Sequence, residues 1–142
     1  MADTIAEKVE FELVSPERLV KSQSVGMVVV PCSEGDIGVL PGHTPLIGTV
    51  RPGVVDIHEN GKVTESIFVS GGFVEVTPER CTLLAEEATS VDLLNRDTAQ
   101  ARLEAAEKAL EKAETDVEKG NAEAEIATAE AMLTALGGGS AH

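Results

Sequence analysis

The chain has 142 residues, the size of one ordinary domain or of a small domain with an appendage. Its 25 acidic and 11 basic residues give a formal charge of −14, and its only aromatics are three Phe. So acidic a surface repels phosphate backbones and anionic headgroups, and so few aromatics offer neither a base-stacking platform nor a cation cage; nucleic-acid binding and direct lipid binding are excluded as readings.

The core must be Val, Ile, Leu and Ala, and a partner should be basic where it touches this surface. Cys32 and Cys81 form no CxxC and read as half-buried thiols of a reducing compartment rather than as a disulfide. Met1-Ala2-Asp3-Thr4-Ile5-Ala6-Glu7 has neither a basic start nor an apolar run, so no signal peptide is expected. No window approaches the roughly 18 apolar residues of a membrane span.

Val9, Phe11 and Leu13 alternate with Glu10 and Glu12, which predicts a half-buried strand ended by Ser15-Pro16-Glu17. Leu19-Val20-Lys21 opens the next. Residues 25–30 are nearly all apolar apart from Gly26, as in a strand covered on both faces. Pro31-Cys32-Ser33-Glu34-Gly35 turns into Asp36-Ile37-Gly38-Val39-Leu40-Pro41-Gly42-His43-Thr44-Pro45-Leu46-Ile47. Pro41-Gly42 has the chemistry of a type II turn, with fixed φ at the first central position and permitted positive φ at the second. Short strands are therefore expected at residues 37–40 and 45–47, joined by a stiff corner.

Arg51-Pro52-Gly53 turns the chain, Val54-Val55-Asp56-Ile57-His58 is a strand, and Asn60-Gly61 is the strongest hairpin signal present. Residues 63–69 return. Ser70-Gly71-Gly72 is a second glycine corner before Phe73-Val74-Glu75-Val76, and residues 81–85 close the series. About nine short strands at intervals of roughly 8–12 residues predict a flattened sandwich or barrel over residues 1–88.

The pattern changes near Thr89-Ser90. No Pro follows Pro78, and no Gly lies between Gly72 and Gly120. Ala99, Leu103, Ala106, Leu110, Ala113 and Val117 recur at alternating steps of four and three, one stripe of an α-helix. Gly120-Asn121 is read as a break. Ala122, Ile126, Ala129, Leu133 and Leu136 form a second stripe, and Gly137-Gly138-Gly139-Ser140 ends it in a flexible tail. Helices over about 96–118 and 122–136 with a short loop fold as an antiparallel hairpin over residues 89–142. Its seam is rich in alanine, and at about 25 cal/mol per Å² so little buried area makes it the least stable part of the chain.

Five segments in order resemble the epsilon-subunit family of F-type ATP synthases, the bacterial counterpart of the mitochondrial delta subunit. They are Phe11-Glu12-Leu13-Val14-Ser15-Pro16-Glu17, the corner Glu34-Gly35-Asp36-Ile37-Gly38-Val39-Leu40-Pro41-Gly42-His43, Arg51-Pro52-Gly53, Ser70-Gly71-Gly72-Phe73-Val74-Glu75-Val76, and Cys81-Thr82-Leu83-Leu84-Ala85-Glu86. With the two helices, the resemblance spans nearly the whole chain.

The resemblance implies a non-catalytic central-stalk subunit of a proton-translocating synthase, peripheral on the cytoplasmic face of the bacterial inner membrane. It couples c-ring rotation through gamma to ATP synthesis and carries no active site or cofactor. Its implied partners are gamma and the c-ring, with the alpha and beta catalytic subunits as further candidates. Glu34, Gly35, Asp36, Gly38 and His43 correspond to the edge that faces the c-ring loops. Asp36 is either the contact or a solvated turn acid, and His43 either a structural hydrogen-bonding residue or a contact. Leu103, Ala106, Leu110, Ile126 and Leu133 are the expected seam and gamma contact.

Two departures matter. In many relatives a basic hairpin inhibits ATP hydrolysis by meeting an acidic motif on the catalytic subunits; here the last basic side chain before His142 is Lys119, so weak or absent inhibition is expected. Some relatives bind ATP through [IL]-D-x-x-R-A. In Arg96-Asp97-Thr98-Ala99-Gln100-Ala101 the arginine is Gln100, and in Val91-Asp92-Leu93-Leu94-Asn95-Arg96 it comes one place late, so no nucleotide site is expected.

A thiol enzyme pairing Cys32 or Cys81 with His43 or His58 lacks any local activating feature, and the three histidines have no metal-ligand spacing. A free-standing β-sandwich adaptor with a helical tail for a helical partner is the alternative to a rotor subunit.

Overall fold

The computed structural model describes residues 8–137. They form two compact units divided between Ser90 and Val91.

The first unit is a ten-stranded sheet curled into a nearly closed sandwich. Its strands are β1 (Val9–Val14), β2 (Leu19–Val25), β3 (Met27–Cys32), β4 (Gly35–Val39), β5 (Leu46–Val50), β6 (Gly53–Glu59), β7 (Lys62–Val69), β8 (Gly72–Val76), β9 (Arg80–Ala85) and β10 (Ala88–Ser90). Neighbours run β10-β7-β6-β3-β5-β8-β9-β1-β2, with β4 added on β3. Every pairing is antiparallel except β1 with β9, where Phe11 faces Cys81 and Leu13 faces Leu83. Ion pairs tie the two ends of this path together: Lys21 on β2 reaches Glu65 on β7 at 2.6 Å, and Lys8 reaches Glu59 on β6 at 3.3 Å.

Period-two alternation fills the interior. Val9, Phe11, Leu13, Val28, Val30, Val39, Val55, Ile57, Val74, Val76 and Leu83 form one buried cluster, while Glu10 and Glu12 face outward. Residues 25–30 are not the single strand that their composition predicts. Gly26 breaks them, its N–H donating to His58 O at 3.1 Å and to Glu59 Oε1 at 2.9 Å. Val25 pairs with Val9 on one side of this bend, and Met27 with His58 on the other. The glycine is thus where the chain crosses between layers.

The turn chemistry performs as read. Asn60 and Gly61 take φ of 53° and 79° between paired Glu59 and Lys62. At Gly72, φ is 141° and an added Cβ would lie 1.9 Å from Leu84 O, so only glycine allows β8 to approach β9 here. The strand absent from the sequence reading is β10, which pairs with β7 and carries the sheet to Ser90.

The second unit begins with a 3₁₀ turn at Val91–Leu93 and consists of α1 (Arg96–Lys112) and α2 (Asp116–Leu136). The expected break at Gly120-Asn121 is corrected: the loop lies at residues 113–115, and both residues are inside α2. A capping box decides the start of α2. Thr115 accepts from the Glu118 backbone N–H at 3.1 Å, while Glu118 Oε1 accepts from the Thr115 N–H at 3.1 Å. With the Glu114 N–H also donating to Glu118 Oε1 at 3.0 Å, three satisfied N–H groups outweigh one glycine in the second turn, which costs only about 1 kcal/mol. Val117 accordingly leaves the α1 stripe and stands 72% exposed.

Along the seam Ala99, Ala106, Ala122 and Ala129 are buried, with Thr128 and Met132. Leu103, Leu110, Ile126 and Leu133 are half-buried. Arg102 on α1 crosses to Glu125 on α2 at 2.7 Å. Gly137 ends α2, its N–H donating to Leu133 O at 3.0 Å. The signal-peptide reading of residues 1–7 and the glycine tail of residues 138–142 lie outside the described residues.

Candidate docking surface

Corner geometry follows from three glycines and two prolines. β3 and β4 pair from Val28 with Val39 to Cys32 with Gly35, and the two-residue turn Ser33-Glu34 joins them. Gly35 leaves the turn at φ 134°. Ser33 N–H donates to Thr49 O at 2.8 Å, which ties the turn to β5. At the other end of β4, His43 N–H closes the Pro41-Gly42 turn on Leu40 O at 3.1 Å with Gly42 at φ 84°, the predicted type II geometry.

The expected contact residues therefore do not converge. Glu34, Gly35 and Asp36 sit together at the tip, and all three are exposed, as is Gly38. His43 lies beyond the far end of β4, which separates Gly35 from Val39 by about 13 Å at strand rise. There His43 Nδ1–H donates to Thr44 O at 2.6 Å, a local structural bond.

Arg51 is the residue that sequence reading underused. Its Nη2 meets Asp36 Oδ1 at 2.6 Å, and its Nη1 donates to Cys32 O at 2.5 Å. One guanidinium thus joins β3, β4 and the start of the β5–β6 turn. The only hint in the sequence is opposite charge at two turn ends, and nothing local shows that residues 36 and 51 meet.

Beside the tip lies a depression of about 200 Å³ between residues 33–37 and residues 46–49. A second, of about 230 Å³, lies across β5, β8 and β9. Ile47 borders both. On this outer face Ile47 is 76% exposed, Phe73 59% and Leu84 53%, with Phe73 paired directly opposite Leu84. Alternation in Phe73-Val74-Glu75-Val76 is clear in sequence, but its phase is not: Val74 and Val76 point inward, which sets Phe73 in solvent.

The thiols are unsuited to nucleophilic work. Burial raises the Cys32 thiol above its usual range and pushes Cys81 up to about 12, so both stay protonated near neutrality. Among the described residues no group of three or more His, Cys, Asp or Glu is placed to hold a metal, and no helix is long and apolar enough to cross a membrane.

Residues 8–91 match the family model for the ATP synthase delta/epsilon chain β-sandwich domain. The chain belongs to that family. It is 58% identical over 103 residues to the ATP synthase epsilon chain of Paramagnetospirillum magneticum, covering 72% of this chain and 77% of that one. Against the epsilon chain of Rhodospirillum rubrum it is 55% identical over the same shares. A chain in the cryo-EM structure of the Euglena gracilis mitochondrial ATP synthase, OSCP/F1/c-ring in rotational state 1, shares the fold with a TM-score of 0.79 at 21% identity, covering 96% of this chain and 86% of that one. Epsilon chains are subunits of the synthase other than the catalytic one. The family model covers the curled β-sandwich, and the Euglena gracilis chain shares the fold across the two-helix hairpin as well.

Proposed function

We propose that this epsilon-family chain is a non-catalytic rotor subunit that couples c-ring rotation through gamma to ATP synthesis. The observation that carries the reading is the adjacency of two unlike surfaces on one rigid sandwich. The apolar face of Ile47, Phe73 and Leu84 suits the larger and more permanent contact, with gamma. The acidic tip of Glu34, Gly35 and Asp36 suits cationic, polar c-ring loops, where charge fixes orientation more than affinity. Gly38 extends the tip's exposed edge, and His43 holds the far corner. Ile47 borders both surfaces, so a single body held on gamma presents its tip to the ring. Rigidity at the corner limits the entropy lost on docking.

The seam residues Leu103, Ala106, Leu110, Ile126 and Leu133 hold the hairpin and offer gamma a secondary contact. The alpha and beta subunits see mainly acidic side chains, since Glu123 and Glu130 on α2 are exposed, Glu125 is already paired with Arg102, and no Lys or Arg follows Lys119. Like charge facing an acidic catalytic motif disfavours an inhibitory pose. ATPase activity of the complex should therefore change little on removal of residues 91–142; a several-fold rise would contradict weak inhibition. The subunit sits on the cytoplasmic face of the membrane, held there by the ring. Pull-down of the tagged chain from membranes should bring gamma and the c-ring. Recovery alone, or with diverse soluble partners, would favour the adaptor reading.

A further inference from the structure

Resting on that reading, we infer that Arg51 is the positioning residue of the acidic tip, and that Glu34, not Asp36, is the carboxylate left to meet a cationic loop. The fork geometry carries the inference. Arg51 holds Asp36 Oδ1 at 2.6 Å through one nitrogen and Cys32 O at 2.5 Å through another. Asp36 is exposed as a residue, but its side chain, drawn onto the guanidinium, is only 22% exposed. A planar guanidinium that grips a carboxylate and a carbonyl together fixes the relative position of both strands, which an ammonium cannot do as well. A second tie, from Ser33 N–H to Thr49 O at 2.8 Å, and a third, from Arg51 N–H to Pro31 O at 2.9 Å, bracket the same turn.

Glu34 stands at the apex of this clamped turn, between Ser33 and Gly35, and is exposed. A charge already neutralised by an internal cation adds little field at a partner, whereas one held at an apex by a rigid turn acts at full strength and without loss of backbone freedom. The division of roles is thus internal: Asp36 and Arg51 shape the tip, and Glu34 supplies the outward charge.

Two readouts on the full chain test this. In the isolated protein, Arg51→Ala should speed amide hydrogen exchange at residues 33–36 by about tenfold, the weight of one charge-assisted hydrogen bond, and Arg51→Lys by less. Glu34→Gln should leave that exchange unchanged. In membranes reconstituted with the tagged chain, retention is titrated with KCl. Glu34→Gln should lower both the releasing concentration and the steepness of its salt dependence. Asp36→Asn keeps an acceptor for Arg51 and should be retained within about twofold of the parent chain, since an amide oxygen still accepts that bond. Release by Asp36→Asn with no effect of Glu34→Gln would overturn the assignment, as would unchanged exchange in Arg51→Ala. A parent chain that shows the exchange effect yet never binds the membranes would overturn the rotor reading and the outward role of Glu34, leaving only the clamp.

Discussion

The sandwich and the hairpin are built from different amounts of the same material. The sandwich buries Phe11, Leu13, Ile57, Ile67 and Leu83 essentially completely. The hairpin buries four alanines, one threonine and one methionine, and leaves its leucines half exposed. Free energy from burial scales with apolar area, so the sandwich has a deep reserve and the hairpin a shallow one. Where stability lies is also where the candidate docking surface lies: both depressions that border Ile47 belong to the sandwich. The proposed rotor role would gain from that reserve, while the hairpin depends on end-capping and the Arg102–Glu125 cross-link.

The largest effect should come from the sandwich core. Phe11→Ala should cost about 3–5 kcal/mol, read as a lowered urea midpoint in the β-sheet circular dichroism. A loss below about 1 kcal/mol would mean that the two regions are less unlike than their burial indicates. Next is the capping box. Thr115→Ala removes the N-cap acceptor and should cost α2 about 1 kcal/mol, seen as faster hydrogen exchange in the first turn of α2 with sandwich amides unchanged.

Gly120→Ala acts the other way. An added Cβ meets nothing within 4 Å, so helix propensity alone decides and the hairpin should gain about 0.5–1 kcal/mol. Destabilisation there would restore the break at Gly120-Asn121 that composition suggests. The smallest effect is one of pH. Backbone N–H donors from Glu114 and Thr115 hold the Glu118 carboxyl below its ordinary 4.5. A lowered folded-state pKa contributes stability above pH 4.5, and that contribution is lost as pH falls through the folded value. Hairpin helicity should therefore decline in that acid window before the sandwich does, and Glu118→Gln should flatten the decline.

Much of this architecture is legible in the sequence because its signals are local. Alternation around Phe11, the Asn60-Gly61 turn and the Pro41-Gly42 corner each need only a few neighbouring residues. The hairpin loop was misplaced because a glycine is a conspicuous breaker, whereas Thr115 and Glu118 form a start signal only when read as a pair. β10 was missed because Ala88-Thr89-Ser90 has no apolar alternation and is held by its pairing with β7. The candidate docking surface is half legible. Glu34 and Asp36 stand out in sequence, but the bond that sets Asp36 apart depends on Arg51 arriving from 15 residues away, and the exposure of Phe73 depends on a strand phase that only packing sets.

The most direct measurement places one substitution on each region of the tagged full-length chain and follows gamma and the c-ring in pull-downs from membranes. Phe73 and Val117 are both exposed, at 59% and 72%, so glutamate at either leaves the core intact. Phe73→Glu should abolish recovery of gamma, with c-ring recovery falling alongside it, and Val117→Glu should recover both as the parent chain does. Unchanged recovery with Phe73→Glu, or loss confined to Val117→Glu, would contradict a subunit that docks through its sandwich.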